Sequence, residues 1–319
     1  MSLSVEQGAE LLGAVRTAVA TCIVGQDAAI DDALVVFLAR GHLLVEGVPG
    51  TAKTLLVRTL ASALGLRFTR IQFTPDLMPS DVTGVSMWRD GTQGFEFHPG
   101  PVFTQLLLGD EINRAPAKTQ SAMLEAMGER QVTVDGVTRA LDPLLTVYAT
   151  QNPVEHEGTY PLPEAQLDRF LLKTIIRYPD KDAELVMLAN HEAGFDPERA
   201  GSTVAAVLNA TQALALRSLV DGVRVAIEVR EYIAAITRAT REESTIALGA
   251  SPRATVALMR AARATAVLDG RAYVTPDDVK DRAPSVLRHR VTLSPELEIE
   301  GRSVDDALAA ILVRIEAPR

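Results

Sequence analysis

Up to about residue 180 the chain alternates short, nearly unbroken apolar runs with stretches of helical periodicity. That alternation predicts a parallel sheet covered by helices. The runs lie at 42–46, 67–73, 103–110, 144–150 and 170–176, and their continuous apolar character suits strands buried on both faces. Two hairpins interrupt the pattern. One covers 82–88 and 94–98 around Asp90-Gly91. The other covers 130–134 and 137–141 around Asp135-Gly136, a dipeptide that suits a type I′ turn. After Tyr178-Pro179-Asp180 the texture becomes helical, at about 181–193, 203–216, 228–241, 252–269 and 276–288. Thr275-Pro276-Asp277-Asp278 is a helix start, with Thr as N-cap, Pro at the first helical position and acids in the first turn. The expectation is an α/β core over residues 1–180 and a smaller all-helical domain over 181–319, without repeats or low-complexity tracts.

Composition narrows the class. Hydrophobic residues make up 47 % and charged residues 23 %, near the globular average, which excludes disorder, collagen and coiled coil. Aromatics are only 4 %, so the interior is built from small and aliphatic side chains. The formal net charge of -9 argues against a broad phosphate-binding face for nucleic acid. Cys22 is the single cysteine, so no intrachain disulfide or thiolate metal cluster is expected, and its apolar surroundings predict a buried, inert thiol. That apolar stretch, 18–24, has Glu6 and Glu10 upstream, no basic leader and Asp27 after it, unlike a signal peptide. No segment reaches the roughly 20 apolar residues of a membrane span. A cytoplasmic protein with no membrane insertion is expected.

Candidate chemistry begins at Gly47-Val48-Pro49-Gly50-Thr51-Ala52-Lys53-Thr54, which follows the first apolar run and opens a helical pattern through Leu55 to about residue 64. This is the strand–loop–helix context of a Walker A motif. Backbone N–H groups of such a loop and helix start form an anion site, with Lys53 for the terminal phosphates and the Thr54 hydroxyl for Mg²⁺. Ala52 replaces the glycine usual before the lysine, a change that right-handed helical geometry at that residue accommodates. The run ending in Asp110-Glu111 is a Walker B pattern. Successive side chains of a strand diverge, so Asp110 can serve Mg²⁺ through water while Glu111 polarises the attacking water.

With these motifs, Asp110-Glu111-Ile112-Asn113-Arg114-Ala115, Gln120-Ser121-Ala122-Met123-Leu124-Glu125-Ala126-Met127, Ala149-Thr150-Gln151-Asn152-Pro153, Leu162-Pro163-Glu164-Ala165-Gln166-Leu167-Asp168-Arg169-Phe170, Leu248-Gly249-Ala250-Ser251-Pro252-Arg253, Val274-Thr275-Pro276-Asp277-Asp278-Val279 and Leu287-Arg288-His289-Arg290 resemble the MoxR family of AAA+ ATPases, over roughly residues 20 to 293. The resemblance implies an α/β P-loop NTPase fold: an αβα core with a parallel sheet, plus an all-helical lid. It implies ATP/ADP and Mg²⁺ as ligands and a homo-oligomeric, hexameric ring with nucleotide at the subunit boundary. Val24-Gly25-Gln26 would lie against adenine, Asn152 would be the sensor-1 residue and Arg169 the arginine finger. Arg253 would be the sensor-2 arginine, coupling nucleotide state to lid angle. The region 81–99 resembles the family's helix-2 insert and 131–141 its pre-sensor-1 hairpin. By residue type alone, Asn152 before Pro153 also suits a turn, and Arg169 suits a structural partner of Asp168 or Glu164. Asp305-Asp306 reads as a solvated helix face.

The activity implied is ATP hydrolysis driving chaperone-like remodelling or maturation of protein partners, commonly ones with a von Willebrand factor A-type domain. Two other readings compete. A nucleic-acid motor is disfavoured because hairpin residues 131–139 offer one Arg, no Lys and no aromatic for stacking. A nucleotide-gated scaffold with negligible turnover is disfavoured by the intact Lys53, Asp110, Glu111 and Arg169.

Overall fold

The computed structural model describes residues 3–48, 50–89, 94–152 and 160–318. Pro49, the Asp90-Gly91 turn and Pro153 lie outside the described residues. Five parallel strands form the central sheet: β1 (Leu43–Gly47), β2 (Phe68–Gln72), β3 (Leu106–Asp110), β4 (Thr146–Gln151) and β5 (Leu172–Ile176). Their spatial order is β2-β3-β4-β1-β5. All five expected strands form, each beginning or ending within three residues of the apolar run that predicts it. The inner strands β3 and β4 are almost wholly buried, while at the edges β5 leaves alternate residues partly exposed and β2 fully buries only Ile71.

Strand alternation divides the core in two. Leu43, Val45, Leu106, Leu108 and Tyr148 face a layer that includes helices Asp27–Leu38 and Lys53–Ala63. Leu44, Leu107, Val147 and Ala149 face helix Ala117–Glu129 through Met123, Leu124 and Met127. The result is the expected αβα core. His42 pins one corner of it: Val147 N–H donates to its Nδ1 at 3.0 Å and its Nε2 donates to Met127 O at 3.2 Å. Both hairpins form, Gly84–Arg89 with Gly94–Pro99 and Gln131–Val134 with Val137–Ala140. Asp135 (φ 53°) and Gly136 (φ 75°) adopt the left-handed pair that a type I′ turn requires.

The C-terminal part is helical, with Lys181–Glu192, Ala210–Gly222, Ile227–Glu242, Pro252–Leu268, Pro276–Leu287 and Val304–Arg314 as its longer helices. The expected helix at 203–216 is displaced: Pro197–Thr203 is a separate short helix, and the next starts at Ala210, capped by Asn209, whose side chain accepts from Gln212 N–H in a capping box. Helix Pro252–Leu268 buries Ala254, Ala257, Ala261, Ala262 and Ala264, small residues that let it pack closely against its neighbours. N-terminal helix Val5–Ala20, begun by a Ser4–Gln7 capping box, shares this apolar cluster. Two details differ from expectation. Cys22 is only half-buried, because it follows the end of that helix. Asp305 accepts from Arg288 Nε at 3.1 Å, so it is a tethered acid, while Asp306 caps its own helix. No described helix is long and apolar enough to cross a membrane.

Candidate functional site

Parallel strands deliver their following loops to one edge of the sheet, and ligands of such folds bind there. β1 ends at Gly47, where a Cβ would come within 2.7 Å of Ile176 O on β5. The loop then turns back through Gly50 (φ 83°), and Thr51 Oγ1 donates to Val48 O at 2.9 Å. Helix Lys53–Ala63 makes its first internal bond from Leu56 N–H to Ala52 O. The N–H groups of Lys53, Thr54 and Leu55 therefore have no acceptor within the helix, and no side chain caps them. Three orphan donors at a helix N-terminus form an anion cradle. Lys53 Nζ donates to Gly47 O at 2.5 Å and to Val48 O at 3.4 Å. Burial pushes its ammonium below the ordinary range, against the pull of Asp110, Glu111 and Glu46.

Ala52 corrects the expectation of right-handed geometry. It sits at φ 57°, ψ 22°, in the left-handed region, because the helix begins only at Lys53 and the loop must reverse before it. An L-residue there carries about 1–2 kcal/mol of strain that glycine avoids.

Across from the loop, Asp110 ends β3 and is 8 % exposed. Its Oδ1 accepts from Thr150 Oγ1 at 2.5 Å, and Thr150 Oγ1 in turn accepts the Glu111 N–H at 2.8 Å. One hydroxyl on β4 thus fixes both acids. Asp110 Oδ2 lies 3.4 Å from Thr54 Oγ1 and accepts from Arg70 Nη2 at 2.7 Å and Nε at 3.2 Å. Glu111 is left-handed (φ 57°), which turns its carboxylate away from the path of the strand. Its Oε2 accepts from Gln72 Nε2 at 3.0 Å and Arg114 Nη1 at 2.9 Å. Asn152 follows β4, whose tip lies between those of β1 and β3, next to both the loop and the acids.

Val24-Gly25-Gln26 reaches the same edge. Gln26 Nε2 donates to Arg177 O at 2.9 Å just beyond β5, and a Cβ on Gly25 (φ 71°) would press within 2.7 Å of Ala183. The hard oxygens of Thr54 and Asp110 suit Mg²⁺ shared with phosphate oxygens, and the described residues hold no cluster of three His, Cys, Asp or Glu that would form an all-protein metal cage. The residues present therefore fit a Mg²⁺–nucleoside triphosphate.

Arg169 and Arg253 are not brought to this edge. Leu172 pairs with Leu43 and Ile176 with Gly47, so residues 168–170 stand at the opposite end of β5, about 13 Å or more away at roughly 3.3 Å per residue. Arg169 is exposed, its Nε 3.3 Å from the position of a Cβ on Gly128. It is not the partner of Asp168 or Glu164. Asp168 is held by Arg290 Nε at 2.6 Å and Ser251 Oγ at 3.3 Å, and Glu164 by Thr292 Oγ1 at 3.0 Å. Arg253, 66 % exposed, lies 3.8 Å from Asp168. Arg253, through Asp168, thus stands at the same end of β5 as Arg169, and not at the edge that carries the chain's own phosphate loop. Sequence reasoning missed Arg70, Gln72, Arg114 and Thr150. For the first two the available signal was two long polar side chains at alternate positions of the run 67–73.

The comparisons agree with this architecture. The ATPase family associated with various cellular activities (AAA) matches residues 42–172, and the AAA lid domain matches 238–311. The chain is 48 % identical to uncharacterised protein YeaC of Bacillus subtilis, over 89 % of this chain and 88 % of that one. It is 42 % identical to chaperone MoxR1 of Mycobacterium tuberculosis, over 93 % and 80 % respectively. The crystal structure of a candidate ATPase from Cytophaga hutchinsonii superposes with a TM-score of 0.89 at 41 % identity, covering 98 % of this chain and 96 % of that one. With an αβα core, a helical lid and the phosphate loop facing paired acids, this chain belongs to the MoxR family of AAA ATPases.

Proposed function

We propose that the chain hydrolyses ATP to ADP and phosphate within a ring of like subunits, and that hydrolysis remodels a protein client. The observation that carries this reading is the meeting of Lys53, Thr54 and the three orphan N–H groups with Asp110 and Glu111, with Thr54 Oγ1 only 3.4 Å from Asp110. The N–H groups of Lys53, Thr54 and Leu55 take phosphate oxygens, and Lys53 exchanges its loop carbonyls for the terminal phosphates. Thr54 and Asp110 would hold Mg²⁺, which when bound would neutralise charge on the phosphate oxygens. Glu111 orients and polarises water once it leaves Gln72 and Arg114, and Asn152 fixes that water or the γ-phosphate. Arg169 and Arg253, which stand at the far end of β5, serve the nucleotide of the adjacent subunit.

A chaperone among the relatives supports the remodelling role. The nucleic-acid reading loses further support because Arg139, the arginine of hairpin residues 131–139, stacks on Phe97 at 3.9 Å and donates to its own hairpin's carbonyls. The test is direct. Lys53→Ala loses ATP affinity, whereas Glu111→Gln binds ATP and loses turnover, since Lys53 acts in the ground state and Glu111 on the attacking water. Equal affinity of wild type and Lys53→Ala by titration refutes the assignment. Used as an ATP-locked trap, Glu111→Gln also tests the client class, a protein with a von Willebrand factor A-type domain, by co-purification.

A further inference from the structure

Asp110 Oδ2, the oxygen nearest the Thr54 hydroxyl, already carries a cation. Arg70 reaches it from the edge strand β2 with two N–H groups, Nη2 at 2.7 Å and Nε at 3.2 Å. The same Nη2 donates to Gln72 Oε1 at 2.6 Å, and Gln72 Nε2 donates to Glu111 Oε2 at 3.0 Å. An unbroken line of hydrogen bonds therefore runs from the carboxylate assigned to Mg²⁺ to the carboxylate assigned to water. Register makes this possible: Gln72 pairs with Asp110, and Arg70, two residues earlier, projects from the same face of β2.

A guanidinium and a divalent cation compete for one carboxylate oxygen, because each satisfies its charge and lone pairs. Arg70 is half-exposed, so it can swing into solvent at little packing cost. We infer that Arg70 is a positioning residue that stands in for the divalent cation: it holds Asp110, and through Gln72 it holds Glu111, until Mg²⁺ arriving with nucleotide displaces it. The inference rests on the assignment of Asp110 to Mg²⁺. A merely structural Arg70 would affect stability but leave the concentration of Mg²⁺ needed for binding unchanged.

The experiment is a Mg²⁺ titration of ADP binding by calorimetry, which needs no turnover, on wild type, Arg70→Met and Arg70→Lys, each checked by circular dichroism. Removing a competing, half-exposed charge-assisted pair lowers the Mg²⁺ midpoint about three- to tenfold in Arg70→Met. Arg70→Lys, which keeps the charge but loses the two-pronged contact, falls between. An Arg70→Met midpoint equal to or above that of wild type overturns the inference while leaving the site reading intact. Mg²⁺-independent ADP binding in wild type overturns both.

Discussion

Replacing Asp168 by alanine removes the carboxylate that joins the helical lid to the segment bearing Arg169. Arg290 donates to it through Nε at 2.6 Å from a side chain only 3 % exposed. Burial pulls the Arg290 guanidinium below its ordinary range, and Asp168 opposes that shift. Breaking a buried pair from one side costs about 3–5 kcal/mol. Here the lower end applies, because Arg290 keeps the carbonyls of Asp168, Phe170, Leu171 and Val286 as acceptors. At about 2.1 cal/mol/K of unfolding entropy per residue, a chain of 319 residues loses about 4–5 °C of Tm for 3 kcal/mol if it unfolds cooperatively. Arg253 and Ser251 lose the same partner, so the lid loosens where Arg253 stands. Calorimetric melting of wild type, Asp168→Ala, Arg290→Met and the double variant gives the coupling between the two residues. Purely additive effects, or an Asp168→Ala Tm within 1 °C of wild type on the same entropy scale, refute the view that this pair clamps lid to core.

Other consequences follow from backbone and burial. Ala52→Gly relieves left-handed strain of about 1–2 kcal/mol, partly offset by the greater freedom of glycine in the unfolded chain, so stability rises by at most about 1 kcal/mol; a loss of stability on chemical denaturation contradicts the left-handed assignment. Burial pushes His42 down to about 3 and His289 well below its ordinary 6.5, so both stay neutral when folded. Because their folded values are depressed, the stability they contribute is full above pH 6.5 and is lost as pH falls towards their folded values. At pH 5.5 this costs about 1.4 kcal/mol for His42 relative to neutral pH, and His289 acts in the same direction. Denaturation midpoints that stay level between pH 7.5 and 5.5 refute it.

The parts legible in the sequence are those encoded by contiguous residues. Five apolar runs became five strands, and the loop at 47–54 and the pair Asp110-Glu111 meet because the motifs themselves end β1 and β3. Readings that needed tertiary knowledge fared differently. Right-handed geometry at Ala52 would accommodate the missing glycine, but the helix starts one residue later and Ala52 is left-handed. The helix expected at 203–216 begins at Ala210, although Asn209 with Gln212 is a capping box visible in sequence. Ser4 with Gln7 likewise marks the N-terminal helix. Arg253 follows a recognisable Ser-Pro pair, yet its position beside Asp168 depends on how the lid folds back onto the start of β5. Arg70 and Gln72 acquire meaning only through the register of β2 against β3, which no local pattern supplies.

The central claim is that ATP hydrolysis is shared between subunits, with Arg169 acting on the nucleotide held by its neighbour. A finger of this kind is worth about 10³–10⁵ in rate, so Arg169→Ala binds ATP and scarcely hydrolyses it. Lys53→Ala is inactive for a different reason and keeps its Arg169. In mixed rings some Arg169→Ala subunits, whose Lys53 is intact, stand beside Lys53→Ala subunits that donate the arginine. The measurement is the ATPase rate on mixing the two inactive proteins, with co-assembly verified by tag pull-down. Activity returning well above either component alone is the predicted result, and co-assembled rings as inactive as their components contradict it.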